Sequence, residues 1–249
     1  MRTLSTAEWL AIWERGAPGS PVLRALLLLE AACPEQSRES LASVAVGERD
    51  ARLLALRERM FGANLHGTAT CPRCRDLLEL SFSADDIRRA AANRSPAESG
   101  VTTHRVQVNE YELQFRLPDS RDLEAIALVS DVSEARRMLF ERCVVNIQHD
   151  GAKRAGNEVP DEVVRWVEQR MAEIDPQGDV QLSLTCPHCG HQWPAGFDIG
   201  SFLWSELHVW ALRTLEDVHV LASAYGWHEA DILTLSPWRR QAYLELVGQ

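Results

Sequence analysis

Apolar residues recur at helical spacing near both ends of the chain and alternate with polar ones between them. Over residues 4–15, Leu4, Trp9, Ile12 and Trp13 share one side of a predicted helix, and Val22, Leu26 and Leu29 do the same over 21–33. The break from Gly16 to Pro21 is turn chemistry. A third helix is expected from about Glu48 to Phe61, where Leu53, Leu56 and Met60 recur, and Gly62 to Gly67 ends it. The middle of the chain reads differently. Leu77 to Phe82 predicts a short strand and Asn93 to Gly100 a polar loop. Thr103 to Val108 and Tyr111 to Leu117 alternate around Asn109-Glu110 as a hairpin. Helices follow at about Ser120 to Val129 and Ser133 to Val145, the second with Ser133 as its expected cap. Gln148 to Glu158 is a polar loop, Asp161 to Ile174 a helix, and Val180 to Leu184 a strand. From Phe202 to Gly226 a broad apolar stripe (Leu203, Leu207, Trp210, Leu215, Val218, Leu221) predicts the longest helix. Two shorter helices close the chain, and Ser236-Pro237 caps and opens the last, Trp238 to Val247.

These elements predict an α+β protein that is mainly α-helical. Its expected parts are a helical region over 1–67, an α+β region over 68–200 with an inserted hairpin and helices, and a helical region over 201–249.

The cysteines add chemistry to this outline. Thr70-Cys71-Pro72-Arg73-Cys74 matches Thr185-Cys186-Pro187-His188-Cys189, and Phe82 and Phe197 each lie eleven residues after the first cysteine of their pair. The pattern reads as two copies of one knuckle, each a tight turn between short strands. A two-residue gap lets both thiolates of a knuckle reach one ion, and two knuckles complete a closed tetrahedron. Cys71, Cys74, Cys186 and Cys189 are therefore expected to share one structural zinc ion, since four thiolates favour zinc over hard cations and the spacings of iron–sulfur clusters are missing. Cys186-Pro-His-Cys189 also occurs in disulfide oxidoreductases, where the motif opens a helix that lowers the first thiol's pKa. Gly190, Pro194 and Gly196 preclude a regular helix here. His188 and His191 are expected to be exposed turn residues, His208 and His219 surface or packing residues, and Cys33 and Cys143 small core residues.

Composition narrows the partners. A chain of 249 residues with 45% hydrophobic content can bury a sizeable core. Its net charge of −10 argues against nucleic acid or an anionic membrane surface, leaving proteins as the expected partners. Glu8 and Glu14 interrupt any signal-peptide core, and the most apolar run, Val22 to Cys33, is too short for a bilayer, so a cytoplasmic chain with reduced thiols is expected. No G-x-S-x-G, phosphate-cradling loop, H-E-x-x-H or dinucleotide fingerprint occurs, and a four-thiolate shell leaves zinc no open position, so no enzyme is expected.

The last third has a connected pattern: Cys186-Pro-His-Cys189-Gly-His191, Phe197-Asp-Ile199, Phe202-Leu-Trp204-Ser-Glu206, Asp217-Val-His219, Tyr225-Gly-Trp227, Glu229-Ala-Asp-Ile-Leu233 and Trp238-Arg-Arg240-Gln-Ala-Tyr243. With Gly47-Glu-Arg-Asp50, Leu53 to Arg57, Phe61-Gly62 and the first knuckle, it resembles the T-even-like phage baseplate proteins known as baseplate hub assembly chaperones, found also in contractile injection systems. The resemblance implies a non-enzymatic role in building the baseplate of a contractile tail, in the host cytoplasm or in the particle, through contacts with baseplate or hub proteins. Trp227, Trp238, Arg239 and Tyr243 are the expected anchors, because interfaces concentrate their energy in such side chains. The competing class is a zinc-ribbon nucleic-acid binder whose Arg239 and Arg240 touch phosphate, a poor footprint in an acidic tail.

Overall fold

A computed structural model describes residues 1–88 and 102–248. The expected loop from Asn93 to Gly100 falls outside them. In chain order the helices are α1 (Thr6–Gly16), α2 (Pro21–Ala32), α3 (Arg38–Ala42), α4 (Val46–Phe61), α5 (Ala84–Ile87), α6 (Ser120–Ile126), α7 (Val132–Cys143), α8 (Asp161–Ile174), α9 (Ile199–Tyr225), α10 (Glu229–Thr234) and α11 (Pro237–Val247). The strands are β1 (Asn64–Thr70), β2 (Leu77–Ser83), β3 (Thr103–Val108), β4 (Tyr111–Arg116), β5 (Val144–His149), β6 (Ala152–Lys153), β7 (Val180–Thr185) and β8 (Gln192–Phe197). The protein is thus α+β and mainly helical, as its hydrophobic pattern predicts. It divides into two compact units, Met1–Gln36 with Gly200–Gln249, and Ser37–Ile199.

In the first unit, Ser5 caps α1 in a capping box with Glu8, and Ser20 and Ser236 cap α2 and α11, each followed by proline in the case of these last two. Helix α2 is buried almost all round, from Ala25 through Leu29 and at Ala32. Gly16 ends α1 against the Trp204 ring, and a Cβ there would collide with it. Arg24 lies over the same ring at 4.9 Å and donates to the Gly16 and Ala17 carbonyls, which supplies the end of α1 with partners. At the other end, Val218, Leu221 and Ile232 form a small core with Trp227 and Tyr243 packed against it.

In the second unit, β3, β4, β5 and β6 form one antiparallel sheet in that order. Leu113 and Phe115 of β4 and Ile147 of β5 are buried with Phe140 of α7 and with Val163 and Val167 of α8. The sequence pattern predicts only the β3–β4 hairpin. The expected helix to Val145 ends at Cys143, because β-branched Val144 and Val145 enter the sheet, and the expected loop after Gln148 holds a turn at Asp150–Gly151 and the short β6. Asp131 rather than Ser133 caps α7, accepting from the Ser133 and Glu134 backbones. Helix α3 and strand β1 carry no periodicity strong enough to be assigned from sequence.

Ala45 offers α4 no side-chain cap. The Asp175 carboxylate at the end of α8 does so instead, accepting from the Gly47 amide at 2.9 Å. A Cβ on Gly47 would collide with that carboxylate, so this position needs glycine for the close approach.

Candidate metal centre

Strands β1 and β2 pair from Asn64↔Ser83 to Thr70↔Leu77, and β7 and β8 pair from Val180↔Phe197 to Thr185↔Gln192. Each hairpin carries its cysteine pair at the turn, and the two turns match bond for bond. The Cys71 amide donates to the Asp76 carbonyl at 2.9 Å and the Cys186 amide to the His191 carbonyl at 2.9 Å. Arg75 and Gly190 return the chain by donating to the carbonyls of Cys71 and Cys186, both in the left-handed region at φ 66° and 69°. The repeat legible in the cysteine spacing is therefore a repeat of backbone geometry. Phe82 and Phe197, which the spacing singled out, meet edge to face with centroids 5.5 Å apart.

The turns bring the four sulfurs together. One ligand atom from each of Cys71, Cys74, Cys186 and Cys189 lies within 4.8 Å of the others. Cys71 Sγ is 3.8 Å from Cys189 Sγ, and Cys74 Sγ is 3.5 Å from Cys186 Sγ. A tetrahedral zinc ion with bonds of about 2.3 Å sets its sulfur ligands about 3.8 Å apart, so the cluster has the dimensions of such a shell. Cys71 and Cys186 are buried, Cys74 and Cys189 half-buried, and Leu78, Leu80 and Trp193 pack around them. This apolar surround strengthens any charge interaction inside it.

Burial works against ionising Cys71, but the amides of Cys74 and Arg73 and neighbouring sulfurs outweigh it and bring that thiol down to about 7. The Asp76 amide favours the Cys74 thiolate, yet burial and the adjoining sulfurs of Cys189, Cys186 and Cys71 prevail and push it up to about 12. One thiolate forms readily and the next is resisted, an arrangement that a bound cation relieves.

His188 is exposed, and His191 stacks on Trp193 with centroids 5.8 Å apart. Neither joins the group of possible ligands. Cys33 and Cys143 are buried in the core, where burial first and Asp122 second push the Cys143 thiol up to about 12. His208 accepts from the Trp13 indole at 3.0 Å, a packing role.

The C-terminal aromatics part company by exposure. Trp227 and Tyr243 are half-buried and meet edge to face at 4.8 Å. Trp238 is 86% exposed, and exposed Arg239 reaches over the Tyr243 ring at 5.9 Å. Arg240 is buried with Asp217 at 3.7 Å, so the Arg239-Arg240 pair does not present two guanidinium groups to a phosphate backbone.

A buried ionic cluster in the second unit went unread in the sequence. Asp122, with no exposed surface, accepts from Arg116 at 2.8 Å and Arg142 at 2.9 Å, and Asp119 caps α6 while pairing with Arg121. Burial alone would raise the Asp122 carboxyl, but Arg116, the Asp119 backbone and Arg142 hold it below its usual range. The available signal was the capping pattern Asp119-x-x-Asp122.

The fold and this centre define a mainly helical α+β protein in which two matching hairpins gather four cysteines closely enough to hold a metal ion. A family model described as the T4 bacteriophage base plate protein matches residues 23–204, and the chain belongs to that family. The matched stretch contains both knuckles and ends before Trp227. No curated protein and no solved structure matches the chain. No helix among the described residues is long and apolar enough to cross a membrane.

Proposed function

We propose that the protein is a non-enzymatic assembly factor of the baseplate hub in a contractile tail, acting through protein contacts on a scaffold stapled by one zinc ion. Membership in the baseplate family is the observation that carries this reading. Zinc is the favoured metal because four thiols at tetrahedral spacing in an apolar surround suit a closed structural shell. When bound, the ion supplies fixed positive charge. Cys71, Cys74, Cys186 and Cys189 hold it, and the amides of Arg73, Cys74 and Asp76 temper the thiolate charge.

The partner is a baseplate or hub protein met in the host cytoplasm during assembly, and the segment over 201–249 supplies the contact. Its exposed members, Trp238 and Arg239, are the anchors, whereas Trp227 and Tyr243 support them from the core. Co-purification with tail proteins encoded beside it, comparing the wild type with Trp238→Ala, tests the reading. The variant is expected to melt as the wild type does, keep its zinc and lose partner capture. A variant that still captures the same partner equally well moves the surface elsewhere.

A further inference from the structure

Helix α11 carries apolar residues on two opposite sides. One side is used within the first unit: Tyr243 and Leu244 pack against the core of Val218, Leu221 and Ile232, and Arg240 is buried beside Asp217. The other side holds Trp238, Ala242 and Leu246, a single row at i, i+4 and i+8. All three are exposed, Trp238 by 86% and Leu246 by 58%. Two exposed charges of opposite sign flank the row. Arg239 stands three residues before Ala242 and Glu245 three residues after it, which places them on opposite sides of the row. Arg239 lies over the Tyr243 ring and has no carboxylate within ion-pair reach among the described residues. Glu245 accepts from the Gln241 amide at 3.4 Å.

We propose that a second copy of the chain covers this face, through a two-fold contact of α11 with α11. Helices most often cross at about 50°, with their i, i+4 rows running side by side. When the two-fold axis follows the rows, Trp238, Ala242 and Leu246 each meet their counterpart, and small Ala242 at the crossing lets the backbones approach. The same axis brings Arg239 of each copy beside Glu245 of the other. The face is therefore complementary to itself, which is what a two-fold interface requires. Flanking charges of one sign would make the same contact repulsive. Two chains of net charge −10 repel at long range, and the two ion pairs oppose that repulsion where the copies touch. One helix face per copy buries less than the roughly 1,600 Å² of a standard stable interface, so the dimer is weak and dissociates on dilution. The contact shares Trp238 and Arg239 with the baseplate partner proposed above, and it covers them until that partner displaces the second copy.

Sedimentation equilibrium of the full-length chain tests the proposal, at concentrations up to about 1 mM, the weak end of the affinity scale. A monomer–dimer equilibrium is expected. Trp238→Ala, Arg239→Glu and Glu245→Arg should each weaken it at least about tenfold, the first by removing an anchor and the others by setting like charges face to face. Combining Arg239→Glu with Glu245→Arg re-forms both pairs with reversed sign and should return the dimer to within about threefold of wild type. Wild type that stays monomeric throughout overturns the proposal. So does a Trp238→Ala dimer of wild-type strength, or a double variant no tighter than its single parents. Should a variant lose cooperative melting, the backbone NMR signals of wild type decide: shifts with concentration within 237–247 support the contact, and shifts confined to other residues overturn it. No baseplate protein enters the measurement, so its outcome is separate from that of partner capture.

Discussion

Arg75 and Gly190 hold the same place in their knuckles and the same left-handed backbone, yet only glycine adopts it without steric cost. Arg75→Gly should therefore raise stability by about 0.5–1 kcal/mol, and Gly190→Ala should lower it by about 1 kcal/mol, as read by denaturant melts. Equal effects of the two changes would mean that the knuckles are not equivalent. Asp50 makes a prediction about pH. Burial, opposed by Arg49 and aided by Asp198 and Asp175, raises its carboxyl from 3.8 to about 6. The folded state then holds this proton where the unfolded chain has released it. The stabilising contribution is complete below 3.8 and is lost as pH rises through about 6. Wild-type protein should lose more stability between pH 5 and pH 8 than Asp50→Asn does, and parallel curves would refute the assignment. At this scale the cysteines were legible because their spacing repeats. Asp175 was not, because its partner Gly47 lies 128 residues away, and the capping pattern that marks Asp122 says nothing of its pairing with Arg116 and Arg142.

Elements with a strong period were read from sequence close to their observed bounds: α1, α2, α4, α8, the β3–β4 hairpin and α11 all follow their apolar stripes or caps. The strands missed in the four-stranded sheet share one cause. Strand β5 continues directly from α7, and its alternation is too short to separate from the helical pattern before it, while β6 is two residues held only by pairing with β5. Neighbouring strands, not local preference, set such segments. The same limit applies to the C-terminal aromatics, since a tryptophan-rich helix pattern does not say which rings face inward. Trp227→Ala removes a ring packed on Tyr225 and Tyr243 and should cost about 3 kcal/mol of stability. Trp238→Ala, at an exposed position, should stay within about 0.5 kcal/mol of wild type in the same melt. A large loss at Trp238 would show that its role is packing.

Across the whole molecule, the four cysteines join stretches that sequence alone leaves 112 residues apart, from Cys74 to Cys186. A metal ion there closes a long loop of the unfolded chain and supplies fixed positive charge to thiols that otherwise resist ionising together. Chelation should therefore lower the melting temperature of the unit over 37–199 and expose all four thiols to alkylation. If the thiols stay protected after metal removal, packing alone holds the hairpins. The central claim is that one zinc ion is shared by both knuckles. Elemental analysis of protein made in zinc-replete, reducing medium measures it directly, on the wild type and on Cys71→Ser and Cys186→Ser. The account predicts one zinc per wild-type chain and loss of tightly held zinc in both variants, whereas zinc-free wild type, or a full complement in either variant, would contradict it.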